Sequence, residues 1–220
     1  MSNGFPLIDI IFFAAVALFI AMRLRNVLGK RTGHERRPEP PLSPSSPDNV
    51  VKLPGRDDLH DGPFGHVQDP ELREGLNAVR RHDGDFDLEY FLGGATGAFD
   101  MIVQAFANGD TETLRPLLAD EVYAGFAEAI EQREAAGETL ETQITAMKSA
   151  EIVEARMEGT RALLSVRFVT DQVNVTRNTS GAIVDGDPND LHEVIDVWTF
   201  ARDTASRDPN WLLVATSAES

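Results

Sequence analysis

The sequence predicts an α+β protein: an N-terminal transmembrane helix, a linker, then helices packed on a four-stranded antiparallel sheet. Three observations predict it. Residues 5–22 are almost wholly apolar. Between residues 87 and 136, apolar side chains recur every three or four positions, the period of a helix with one buried face. After Gly137 the period shortens towards two, and β-branched and aromatic residues dominate. Helices followed by an unbroken run of strands imply segregated layers rather than alternating β-α units.

The first element is residues 5–22, FPLIDIIFFAAVALFIAM, with one ionisable side chain, Asp9. At about 1.5 Å per residue an 18-residue helix is roughly 27 Å long, close to the hydrocarbon thickness of a bilayer. Phe5, Phe12, Phe13, Leu18 and Phe19 are its large apolar anchors. A cleaved secretory signal carries its positive charge before the apolar core, and here the charge comes after it: Arg23, Arg25, Lys30 and Arg31. That asymmetry predicts a single span with the N-terminus outside and the remainder cytoplasmic. The same four cations are candidates for contact with anionic lipid headgroups. Asp9 either reaches the interface or meets another membrane helix.

Residues 25–69 form a linker, basic at first and then rich in proline. Residues 70–83 predict a short helix capped by Asp69, with Pro70 at its first position and a thin apolar stripe of Leu72, Leu76 and Val79. Two placements are open to it, packing on the domain or lying on the membrane surface.

The main domain is residues 84–220. A helix over 87–107 carries a wide apolar face from Leu88 to Phe106 and stops at Asn108-Gly109. Gly93, Gly94 and Gly97 interrupt it. Without a lysine or a longer glycine pattern they do not read as a phosphate loop, and the expectation is that they admit another backbone. Asp110 caps a helix over 111–118, and Asp120 caps one over 121–136 that turns Val122, Phe126, Ala129 and Ile130 inward. Strands follow at 139–157, 160–177, 191–202 and 211–216. On the second, Ala162, Leu164, Val166 and Phe168 share one face, and Ser165, Arg167 and Asp171 the other. The third strand is apolar on both faces, as central strands are. Residues 178–189 read as a connector.

Charge and composition exclude several functions. The net charge of −16 falls wholly on residues 84–220, which hold 9 basic and 25 acidic side chains. Nucleic acid would repel such a domain. The absence of cysteine removes disulfides, thiolate zinc sites and a cysteine nucleophile. Four of the five histidines, His34, His60, His66 and His82, lie in or beside the linker, and His192 stands alone at a strand start, so no metal site and no cofactor are expected. The one enzyme-like grouping is Asp196 with Trp198 on one strand face, Tyr123 on a helix above it and Arg167 nearby. A carboxyl among apolar groups is suited to acid–base work, unless Arg167 or a hydroxyl pairs with it.

The run FLGGATGAFDMIVQAFANGDTETLRPLLADEVYAGFAEAIEQREAAGETLE, with the later segments VNVTR, DVWTFARD and DPNWLLVATS, closely resembles the Tim44-like domain family. The flank RLRNVLGKRTGHERRPEP resembles its bacterial membrane-anchored branch. The resemblance implies a helical layer over a strongly curved, cone-like sheet of the nuclear-transport-factor-two type, enclosing an apolar pocket. It implies a non-enzymatic binding or adaptor module in protein translocation or membrane-protein assembly at the inner membrane, partnered by membrane or translocating proteins. An isomerase or dehydratase on the same scaffold, or a lipid-binding protein, is the alternative. The pocket residues so implied are Phe99, Tyr123, Phe126, Phe168 and Trp198.

Overall fold

The structure, a computed structural model, describes residues 62–219. The apolar segment at 5–22, with Phe5, Phe12, Phe13, Leu18 and Phe19, lies outside the described residues. So do the basic run with Arg23, Arg25, Lys30 and Arg31 and the linker up to residue 61. Among the described residues no helix is long and apolar enough to cross a membrane.

Among the described residues four α-helices precede five strands. Helix α1 spans Pro70–His82 and is capped by Asp69, whose carboxylate accepts from the amides of Glu71 and Leu72. Helix α2 spans Leu88–Asn108, capped by Asp87 and ended by Gly109 at φ 71°. Helix α3 is a single turn, Thr111–Leu114, capped by Asp110. Helix α4 spans Asp120–Ala135. The strands are β1 Thr139–Glu158, β2 Arg161–Arg177, β3 Ile183–Gly186, β4 His192–Asp203 and β5 Leu212–Glu219.

All strand pairs are antiparallel, in the order β1-β2-β4-β5, with β3 also paired to β2. The fifth strand corrects the expectation of four. Residues 178–189 are a hairpin return, not a plain connector. Asn178 closes its turn by accepting from the amides of Ser180 and Ala182, with Gly181 at φ 79°. Only four residues make up the strand and all are exposed, so no buried alternation marks it in the sequence.

Strand β1 is interrupted by bulges. Its pairing with β2 skips one residue three times, at Thr145, Lys148 and Val153. Each bulge sets an extra residue against one partner residue and bends the strand. The bulged side chains are exposed, so the helix-facing pattern resumes after each interruption.

Helix α1 resolves the choice left open for it. Leu76 and Val79 are fully buried, and Gly75 lies against the backbone of Ala155 on β1. Phe64, upstream of the helix, is also buried and packs on Phe86 at 6.3 Å. The packed unit therefore begins near Pro63, earlier than residue 84. Arg202 on β4 pairs with Asp83 at the end of α1 and stacks on Trp211 at 5.5 Å, fastening that end to the sheet.

Three further expectations change. Helix α3 stops at Leu114 because Leu117 and Leu118 join the sheet margin. Leu213 donates to the Leu117 carbonyl at 2.9 Å, and Ala119 donates to the Leu213 carbonyl at 2.9 Å. This holds Ala119 extended, at ψ 155°, and makes it the N-cap of α4. Asp120 falls inside the helix and pairs with Arg115 at 2.9 Å instead of capping. A β-carbon added to Gly93, Gly94 or Gly97 would meet no neighbouring heavy atom within 4 Å, so no backbone approaches these glycines among the described residues.

Candidate functional site

The helix-facing side of the sheet follows from strand alternation. On β2 the even-numbered residues Leu164, Val166 and Phe168 point that way and are fully buried. Their partners on β4, Phe200, Trp198 and Asp196, lie directly opposite in the ladder. Phe99 of α2 closes over them, with ring centroids 4.5 Å from both Phe168 and Trp198. Those contacts, with Phe168 and Trp198 6.0 Å apart and edge-on, form the centre of the core.

Asp196 sits at the margin of this aromatic group. Phe168 is its neighbour on β2 and Ala218 its neighbour on β5. No hydrogen bond or ion pair reaches it from the described residues, and burial alone pushes its carboxyl up to about 6. Arg167 pairs in register with Val197 and so faces the other side of the sheet. Arg167 has a partner of its own. The anticipated grouping of Asp196 with Trp198 is therefore present, and Arg167 is not part of it.

The five anticipated pocket residues divide. Phe99, Phe168 and Trp198 pack on one another and are closed to solvent. Tyr123 and Phe126 lie half-buried on α4, at the rim of the core. The Arg115 guanidinium covers the Tyr123 ring at 4.7 Å, and Phe126 meets Phe106 edge-on at 5.1 Å. Arg133, in the last turn of α4, is buried and donates to the carbonyls of Phe106 at 2.7 Å and Ala107 at 3.1 Å. It thereby caps α2 from a neighbouring helix and holds the Phe106–Phe126 contact. Burial pushes its guanidinium pKa down.

A groove of about 310 Å³ opens at the far end of α2, bordered by Gln104, Asn108, Thr142, Val175 and Pro188 among others. None of the five anticipated residues lines it. Beside it the helix-facing side of β2 turns polar. Gln172 donates to the Thr170 hydroxyl at 2.8 Å, and Asn174 reaches Gln172 at 3.5 Å, with Thr170 and Gln172 buried. Gln104 spans from α2 to the Thr142 carbonyl at 3.3 Å. This ladder was not anticipated, although the alternation Phe168, Thr170, Gln172, Asn174 marks it in the sequence.

The opposite side carries ion pairs. Lys148, the residue of the middle bulge, bridges Asp171 at 2.7 Å and Glu193 at 2.9 Å, and both hold its ammonium pKa up. Glu154 and Glu158 flank Arg156. Among the described residues no three His, Cys, Asp or Glu side chains gather as metal ligands would.

Residues 72–218 match the Tim44-like domain family. The mitochondrial import inner membrane translocase subunit TIM44 of mouse is 28% identical over 179 residues, covering 79% of this chain and 40% of that protein. The human protein of the same name is 27% identical over 153 residues, covering 68% of this chain and 34% of that protein. The chain thus spans well under half the length of these relatives. Among solved structures, the intermembrane space region of the chloroplast protein ARC6 aligns at 11% identity with a TM-score of 0.42, covering 60% of this chain and 96% of that one.

Proposed function

We propose that this chain, which belongs to the Tim44-like domain family, is a membrane-tethered adaptor. It acts in protein translocation or membrane-protein assembly at a bacterial inner membrane. The observation that carries the reading is the family match across almost the whole described unit, to relatives that are translocase subunits. Residues 5–22 are the tether, a single span with the N-terminus outside. Arg23, Arg25, Lys30 and Arg31 hold the segment to anionic lipid. The proline-rich linker then keeps the acidic domain at high local concentration beside membrane partners. Tyr123 and Phe126, the anticipated pocket residues that stay half-buried, are the binding rim, and Phe99, Phe168 and Trp198 support it from beneath.

The enzymatic alternative needs a second polar group beside Asp196 to share a proton. The described residues give Asp196 no such partner. Cross-linking of intact membranes followed by purification of the chain tests the reading. Translocon, insertase or other membrane proteins are the expected co-purifying partners. Recovery of soluble metabolic enzymes alone would contradict it.

A further inference from the structure

We propose that Asp196 seats a basic side chain: it receives the ammonium or guanidinium group of a lysine or arginine carried on an apolar polypeptide segment of a partner. The proposal rests on the adaptor reading above and names the chemistry of the segment bound.

The nearest ladder and same-face neighbours of the carboxylate along its own strand are apolar. Across the ladder they are Phe168 and Ala218, and on the same face along β4 they are Val194 and Trp198. No hydrogen bond or ion pair is made to it from the described residues. Several other acids of the sheet are paired. Asp171 and Glu193 share Lys148, Glu154 and Glu158 share Arg156, and Glu141 holds Arg177. Arg167, the nearest cation along the ladder, faces the opposite side of the sheet and has a partner of its own.

A partly buried carboxylate without donors is costly, and a cation on an apolar stem offsets that cost. Lysine and arginine suit the position because their methylene stems lie against apolar surface while the head reaches the acid. The excess of acidic side chains over residues 84–220 draws cations towards the domain from a distance. Phosphate-bearing or carboxylate ligands meet the opposite conditions on every count.

The test uses the full 220-residue chain in lipid nanodiscs. Two capped leucine–alanine peptides serve as probes, one with a single central lysine and one with norleucine in its place. Binding is read by fluorescence anisotropy at pH 7.5. The lysine peptide should bind at least tenfold more tightly. Asp196→Asn should bring it down to the norleucine level and leave the norleucine peptide unaffected. Equal binding of the two peptides to the natural chain overturns the proposal, with no variant needed, as does a preference that survives in Asp196→Asn. If neither peptide binds while cross-linked membranes still yield translocation proteins, the seat at Asp196 is lost and the adaptor reading stands. If the lysine preference is found while only soluble enzymes co-purify, the adaptor reading alone falls.

Discussion

Gly75 of α1 lies so close to Ala155 of β1 that a β-carbon on it would stand 1.9 Å from the Ala155 carbonyl oxygen. The atom in the way is backbone, so neither side yields without moving a helix or a strand. Gly75→Ala should therefore lift α1 off the sheet and cost about 1–3 kcal/mol, the usual range for overpacking in a core. Urea unfolding measures the cost, and faster proteolysis within α1 reports the detachment. An unchanged midpoint would mean that α1 is held elsewhere.

Gly93 and Gly97 present the reverse case. Both are exposed within α2, and an added β-carbon meets nothing. Alanine at each position should stabilise the chain by up to about 1 kcal/mol, through helix propensity and a less flexible unfolded chain. A raised melting temperature for the double variant is expected. A loss of stability would show that a backbone packs on this face in the intact protein.

Arg133 links α4 to the end of α2 through the Phe106 and Ala107 carbonyls and lies over the Phe106 ring at 5.1 Å. Arg133→Met keeps the bulk and removes the donors, and should cost about 1–2 kcal/mol: the Ala107 carbonyl loses its partner and the Phe106 carbonyl keeps only the Gly109 amide. Arg133→Lys should fall between the two, because an ammonium cannot serve both carbonyls in the planar arrangement of a guanidinium. Chemical denaturation of the three proteins gives the order.

Much of this architecture is legible in the sequence, for identifiable reasons. Asp69 and Asp110 cap helices as their positions before apolar runs indicate, because capping is local. Asp120 follows the same local rule and breaks it, because Leu213, far along the chain on the last strand, holds Ala119 extended. The apolar face of β2 is plain in its alternation. The three bulges of β1 are not, since Thr145, Lys148 and Val153 are ordinary strand residues and only pairing with β2 exposes the extra positions. The site divides the same way. That Asp196 shares a face with Trp198 follows from their spacing of two. That Arg167 faces away follows from its odd position opposite Val197, which requires the register. Apolar character identifies Phe99, Tyr123, Phe126, Phe168 and Trp198 as inward-facing but cannot separate the closed core from its rim.

Asp196 should make stability depend on pH. Its carboxyl is raised from 3.8 to about 6 in the folded chain, so the folded state holds a proton that the unfolded state releases. The stability this confers is complete below about pH 4 and lost as pH rises through about 6. At about 1.4 kcal/mol per unit, the difference is at most roughly 3 kcal/mol. Asp196→Asn should be more stable than the natural chain at pH 7.5 and nearly equal to it at pH 4. Parallel pH profiles for the two proteins would show that the carboxyl is not desolvated.

The adaptor reading is tested most directly by a photoreactive amino acid placed at Tyr123, on the rim, in the full chain in intact cells. A second chain carries it at Glu193, on the ion-paired side of the sheet. The expected result is capture of membrane-protein assembly or translocation components, or of their apolar clients, from Tyr123 and not from Glu193. Capture of only soluble enzymes from Tyr123, or the same partners from both positions, would contradict the account.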